Sequence, residues 1–343
     1  MTTSLHYRPW GLFDWVLDRG PSLTWDLFGC LGTEERSLAV ARRLRERKGL
    51  ATETIIRIEN PSPSRYDSET RDAYWKRTKE YTEIGGDPGK VIAQDLLQRY
   101  GETIRQVELC ANNSRGNILL DVTSLPKRFF FPALKRLLCD VRIRNLMVTY
   151  AIPKIYYKGM LSENFAAWAP LPMFGGHDGL KTPKMMIVGV GFSPMGLRDE
   201  TSQEDGGVPI KLLFPFPAPA DSVHRAWHFV QELQKQRRAD RFEIFRIATD
   251  DVPGAFDRIC SLTDGGRKGA IFAPYGPKPI SVAMCLYAHL TESEVFYTQP
   301  TVYRPDYTQG VAYVADKLKI WAYWVRMNGR DLYELPTGDA ESG

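Results

Sequence analysis

One pattern narrows the possible folds most. Short apolar runs end in glycine or a polar turn, and each is followed by a helical stretch with a single apolar stripe. Trp25-Asp-Leu-Phe-Gly-Cys-Leu-Gly32 reads as a buried strand leaving through a tight turn. Thr33 stands where a helix N-cap belongs, and Glu34 and Glu35 fall in the first turn, where carboxylates favour the dipole. A helix is expected from Glu34 to Lys48 on the stripe Leu38, Ala41 and Leu44, with Gly49 ending it and Thr54–Glu59 as the next strand. Beyond a polar loop and solvated helix in residues 60–85, a helix is expected over Val91–Tyr100. Asn117–Asp121 then reads as a buried strand, Pro126–Leu138 as a helix and Asn145–Tyr150 as a strand. Strands alternating with helices predict an α/β fold with a mostly parallel, doubly wound sheet.

The pattern occurs twice. Pro170, Pro172, Gly175, Gly176, Gly179 and Pro183 punctuate a stretch without periodicity, which places a linker at 166–183 between halves 1–165 and 184–343. Lys184–Gly191 repeats the glycine-ended strand. A helix over Ser222–Arg238, a strand over Phe242–Ile247, a strand over Ala270–Pro274, a helix over Pro279–Leu290 and a strand over Val295–Thr298 follow. Tyr150-Ala-Ile-Pro-Lys-Ile-Tyr156 and Tyr297-Thr-Gln-Pro-Thr-Val-Tyr303 share the spacing Y-x-x-P-x-x-Y at an offset of 147 residues. Pro126-Lys127 and Pro277-Lys278, which open the preceding helices, are offset by 151. An internal duplication into two Rossmann-like halves is the expectation. Asn328-Gly329 between Lys319–Val325 and Arg330–Glu334 predicts a C-terminal β-hairpin, whose Trp and Tyr residues would offer a partner or self-association surface if exposed.

Composition removes several classes. With 43% hydrophobic and 25% charged residues the chain is an ordinary folding sequence, and no run approaches the ~18 apolar residues of a membrane span. Five scattered cysteines without a CxxC pair argue for reduced thiols, so a cytoplasmic protein without a membrane partner is expected. A net charge of +4 from 45 basic and 41 acidic side chains is too balanced for coating a long nucleic acid. It suits a small anionic ligand held by a few placed cations.

Ligands of open α/β sheets bind outside the carboxyl ends of the strands, where strand order reverses. That rule selects Gly32–Ser37, Asp121–Lys127 and Tyr150–Tyr156 in the first half, and Gly191–Ser193, Pro274–Lys278 and Tyr297–Tyr307 in the second. At Asp121 a buried strand meets two hydroxyls, a proline and a lysine, so Thr123, Ser124 and Lys127 are candidate phosphate contacts. Ser124 as an N-cap and Asp121 as a turn cap are the structural alternatives. Ser193, Tyr275 and Lys278 are the second-half counterparts, and Tyr150, Tyr156, Tyr297, Tyr303 and Tyr307 could stack on a base or sugar. Glu35 and Asp121 beside Arg36 form an acid–base set in the event that the protein is an enzyme. Glu34 and Glu35 have dipole compensation as their alternative role.

Other motifs fall short. Gly85-Gly-Asp-Pro-Gly-Lys90 is one residue short of a P-loop, and Gly189-Val-Gly191-Phe-Ser-Pro194 lacks the third glycine of a dinucleotide fingerprint. His224 and His228 have metal-pair spacing without a third ligand. No cofactor and no metal are expected.

Two halves, each with a strand, a polar loop, a lysine and a helix, resemble the CARF and SAVED sensor domains of bacterial CRISPR and antiphage systems. The resemblance rests on Asp121–Lys127, Pro274–Lys278 and the glycine-ended first strands with Glu35-Arg36-Ser37. It implies a nucleotide-binding sensor or subunit of a defence or signalling system, with a ligand in a cleft between the halves. Lys127, Lys278 and Arg36 would meet phosphates, and Tyr150 and Tyr297 would meet bases. The chain departs from the pattern in having no glycine-rich loop before Lys127 and no attached effector motif. The competing expectation is a nucleotide- or nucleoside-processing hydrolase that uses Glu35 and Asp121.

Overall fold

The computed structural model describes residues 7–61, 63–176, 183–193, 197, 208–217, 220–236 and 242–336. Gly179, Pro194 and Arg238 lie outside the described residues. The chain divides into two compact units, Met1–Asn164 with Pro300–Leu332, and Phe165–Gln299 with Tyr333–Gly343.

The first unit begins with β1 (Trp10–Leu12), α1 (Phe13–Arg19), β2 (Trp25–Cys30), α2 (Ala39–Glu46) and β3 (Leu50–Glu59). It continues through α3 (Asp67–Glu83), β4 (Ile92–Asp95), α4 (Tyr100–Asn113), β5 (Asn117–Asp121), α5 (Lys127–Leu138), β6 (Asn145–Ala151) and β7 (Pro153–Tyr156). The chain leaves the unit within β8 (Ser162–Pro170). It then builds β9 (Pro183–Gly189), β10 (Ile210–Pro215), α6 (Ala220–Gln236), β11 (Phe242–Ile247), α7 (Val252–Leu262), β12 (Gly269–Pro274) and α8 (Lys278–Thr291). It returns within β13 (Phe296–Tyr303). There it adds β14 (Thr308–Val311), β15 (Tyr313–Val314), β16 (Lys317–Leu318), β17 (Ile320–Met327) and β18 (Arg330–Asp331).

The sheet of the first unit runs β1-β17-β6-β5-β2-β3-β4, with β18 paired to β17. The strands from β6 through β4 are parallel, and β17 and β1 join antiparallel. All six residues of β2 and all seven of β6 are buried, as strands covered on both faces must be. Their apolar runs are therefore continuous rather than alternating.

The second unit repeats this plan. Its parallel sheet runs β11-β10-β9-β12, and Val295, just before β13, bridges Phe272 of β12 in parallel. Strand for strand this is β4-β3-β2-β5, and α6, α7 and α8 occupy the connections filled by α3, α4 and α5. In both units a proline with extended backbone (ψ 155° at Pro126, 151° at Pro277) precedes the lysine that opens the helix. The mixed α/β fold with mostly parallel sheets is as expected.

Five expectations are corrected. Residues Pro300–Leu332 do not belong to the second half, because β17 completes the first unit's sheet between β1 and β6. The Asn328-Gly329 turn does form, with both residues at positive φ, but Tyr323, Trp324 and Tyr333 are buried rather than offered to a partner, and Trp321 is half-buried against Trp10. Trp324 packs edge-on to Trp25 at 5.3 Å, and Tyr323 is fully covered. The linker 166–183 is instead entered by β8. Val91–Tyr100 holds the edge strand β4, not a helix, because pairing with Ile56–Glu59 outweighs local propensity. Finally, the expected helix from Glu34 opens as a 3-10 turn, Glu35–Leu38, and Thr33 caps nothing, since Glu34 holds the N-cap position without a side-chain bond.

The paired tyrosines also separate. Met147 lies opposite Leu119, and Val295 opposite Phe272, so Thr298 rather than Tyr297 occupies the place of Tyr150. In a strand a one-residue offset turns the side chain to the other face.

Candidate functional site

Within the first unit, β2 and β5 are neighbours, and the chain departs from them toward opposite edges of the sheet. Their carboxyl ends are therefore the switch point. The loop Leu31-Gly32 comes so close to the loop after β5 that a Cβ on Gly32 would lie 2.9 Å from Ser124. Only glycine fits there.

The loop from Asp121 to Lys127 is built from inside outward. Asp121, 3% exposed, accepts the Thr123 N–H at 3.0 Å and the Thr123 hydroxyl at 2.5 Å, and Thr149 donates at 3.4 Å. The Thr123 hydroxyl in turn accepts the Ala151 N–H at 2.9 Å, which ties the loop to β6. Ser124 differs. Its Oγ is buried and has no hydrogen-bond partner among the described residues, and α5 has no side-chain cap. Ser124 is thus not an N-cap. Lys127 and Arg128 open α5 with no acidic residue in the first turn. Arg128 donates to the Gln98 carbonyl at 3.2 Å, and burial lowers its pKa.

Beside this loop lies a buried cation. Arg36 is 2% exposed, and its Nε and Nη2 donate to one oxygen of Glu34, at 2.9 and 2.8 Å. Its Nη1 donates to the Ala151 carbonyl at 2.9 Å, and the guanidinium lies 5.2 Å from the Tyr150 ring centre. Burial opposes the charge, but Glu34, Tyr150 and Tyr156 outweigh it and hold the group above the usual arginine range. Tyr150 and Tyr156 share a hydroxyl–hydroxyl bond of 3.0 Å. Burial raises Tyr156 well above 10.0 and also raises Tyr307, which meets the Tyr156 ring edge-on at 6.4 Å. Thr308 donates to the same Glu34 oxygen that holds Arg36.

These placements sort the residues read from sequence. Asp121, Thr123, Ser124, Glu34, Arg36, Tyr150 and Tyr156 come together at the strand ends of the first unit. Glu35 is exposed on the 3-10 turn, and Tyr303 rests 6.3 Å from Tyr307. One face of the Tyr150 ring is taken by Arg36, the Tyr156 ring meets Tyr307 edge-on, and the two hydroxyls bond each other. Thr308 and the covering role of Tyr307 were missed. They lie more than 270 positions from Glu34, and no spacing rule links them.

Among the described residues the second unit shows no equivalent. Its loop Pro274-Tyr275-Gly276-Pro277-Lys278 is two residues shorter and has no counterpart of Thr123 or Ser124. A Cβ on Gly191 would lie 2.1 Å from the Tyr275 carbonyl, so backbone packs on backbone where the crevice would be. Tyr275 is a core residue. It stacks on Trp168 (6.2 Å, 14°), tilts against Tyr297 at 5.4 Å, and bonds Thr298 through its hydroxyl at 3.0 Å. Ser193 is exposed beyond β9, and Lys278 is half-buried at the start of α8. A cavity of ≈ 320 Å³ lies elsewhere in this unit, lined by Lys268, Tyr287, Thr291 and Glu294 among others. Among the described residues no three His, Cys, Asp or Glu side chains could hold a metal ion, and no helix is long and apolar enough to cross a membrane.

No protein-family model matches this chain, and no curated protein does. Several solved structures align at low similarity, among them the following three. A universal stress protein from Archaeoglobus fulgidus DSM 4304 aligns at 10% identity over 81% of this chain and 97% of that one, with a TM-score of 0.23. A putative universal stress protein from Pseudomonas aeruginosa UCBPP-PA14 gives 11%, 82%, 95% and 0.23. The cytoplasmic domain of a prokaryotic cation chloride cotransporter gives 9%, 81%, 96% and 0.25. At these scores the superpositions do not define a common fold.

Proposed function

We propose that the protein binds a small anionic ligand of nucleotide type at the carboxyl ends of β2 and β5, as a sensor or subunit rather than as a hydrolase. The observation that carries this reading is the Ser124 hydroxyl. It is the unpartnered polar group in a loop whose neighbours Asp121 and Thr123 are bonded, and it precedes an uncapped helix opened by Lys127 and Arg128. A phosphate oxygen accepts from a hydroxyl, from helix N–H groups and from lysine together. The hydrolase reading has less support. Asp121 is buried and occupied by Thr123 and Thr149, and Glu35 is exposed on a different loop.

The resemblance to CARF and SAVED domains is part of the same proposal and makes cyclic oligonucleotides the first ligands to try. A thermal-shift screen of mononucleotides, cyclic dinucleotides and cyclic oligoadenylates tests it. At least one should stabilise the protein, and Ser124→Val or Lys127→Ala should weaken that ligand by about tenfold or more, the value of a charge-assisted hydrogen bond. No stabilisation by any of them at millimolar concentration overturns the reading.

A further inference from the structure

Among the described residues β7 and β14 form a two-stranded ribbon that is part of neither parallel sheet. Its strand β14 nevertheless lies against the 3-10 turn that follows β2 and carries Arg36. Its hold there is specific. Thr308, 4% exposed, donates to the Glu34 oxygen that already accepts from Nε and Nη2 of Arg36. Tyr307, next in the chain, is half-buried and meets the Tyr156 ring edge-on. Gly310, at φ +64°, bends β14, and an exposed two-residue hairpin, β15–β16, follows it.

We propose that the β7–β14 ribbon is a gate, latched by Thr308 and Glu34, and that Glu34 occupies on Arg36 the place a ligand phosphate takes when the gate opens. This rests on the anion-binding reading above. A guanidinium offers the same fork of N–H groups to a carboxylate or a phosphate. A phosphate on Arg36 leaves Glu34 facing a like charge in a confined site. Glu34 and its bonded Thr308 are then driven outward together, and the ribbon follows. Ligand binding is in this way coupled to displacement of the ribbon, and the exposed β15–β16 hairpin that follows it moves with it as a surface that a downstream partner can read. The closed state lowers apparent affinity by the fraction of molecules that are open.

Hydrogen–deuterium exchange on the full chain tests the latch without a ligand. Thr308→Val keeps the shape of the side chain and removes only the donor. The amides of residues 308–312 should exchange about tenfold faster in this variant, as for loss of one charge-assisted hydrogen bond, while those of β5 and β6 keep their rates. Unchanged exchange of the ribbon, or equal acceleration across the whole unit, overturns the gate. Binding of inorganic phosphate and of ATP is then measured by calorimetry on both proteins. Tighter binding to Thr308→Val, by the factor that the ribbon opens, supports the coupling; an open ribbon with unchanged affinity overturns it. If neither probe binds either protein, the anion-binding reading beneath the proposal falls, whereas the exchange rates still decide whether the latch exists.

Discussion

Removing Glu34 gives the sharpest energetic test of the site. Arg36 is 2% exposed, and two of its N–H groups end on one Glu34 oxygen, with the Ala151 carbonyl and the Tyr150 hydroxyl as further, uncharged acceptors. Glu34→Ala therefore strands a buried cation, a change that costs about 3–5 kcal/mol. For a unit of this size each kcal/mol moves the midpoint by about 2–4 °C, so a fall of roughly 10 °C is expected. Replacing both partners with apolar residues of similar volume, Glu34→Leu with Arg36→Met, removes the charge and the need for it. The double variant should recover most of the loss. Scanning calorimetry and urea unfolding on the wild type, the two singles and the double give the cycle. A loss below about 1 kcal/mol for Glu34→Ala, or a double variant no better than the singles, refutes the pairing as what holds Arg36 in place.

Other outcomes follow from named contacts. Gly191→Ala forces a Cβ against the Tyr275 carbonyl, 2.1 Å away, and should destabilise the second unit by about 1–3 kcal/mol or more, read by urea titration. Trp324→Ala should cost about 3–5 kcal/mol in the first unit, shown by exchange of β2 and β6 amides, because β17 belongs to that sheet. The Arg142 side chain lowers Asp140 from 3.8 to about 2, so its stabilisation is complete above pH 3.8 and lost as pH falls toward 2. Asp140→Asn should flatten that part of an acid-unfolding curve. Burial raises Tyr156 and Tyr307 above 10.0, so their contribution is complete below pH 10 and declines as pH climbs beyond it. Tyr307→Phe should reduce the alkaline loss seen by circular dichroism.

The parallel core was legible because its information is local. Asn117-Ile-Leu-Leu-Asp121 and Asn145–Tyr150 are apolar on both faces, which in a chain with intervening helices leaves only a covered parallel strand. The switch-point loop was legible for the same reason, since Asp121, Thr123, Ser124 and Lys127 follow directly from the strand. Helix α4 could have been read from Thr103, Val107, Cys110 and Ala111, which recur at helical spacing. Strand β4 could not, because four residues gain their strand identity only from β3 alongside. Nor could the return of β17 to the first sheet be read, since chain order does not say which edge a hairpin joins. At the site, the sequence placed Arg36 in a helix turn beside two carboxylates, but its burial depends on Tyr150, Tyr156 and Thr308, brought in by distant segments.

The central claim is that a nucleotide-type anion sits at the carboxyl ends of β2 and β5. Amide chemical-shift mapping, with the nucleotide that gives the largest thermal stabilisation, locates the ligand residue by residue. The largest changes are expected in Gly32–Ser37 and Val122–Phe129, with smaller ones along Tyr307–Val311. Changes confined to the second unit, or a map unaltered in Ser124→Val, would contradict the account.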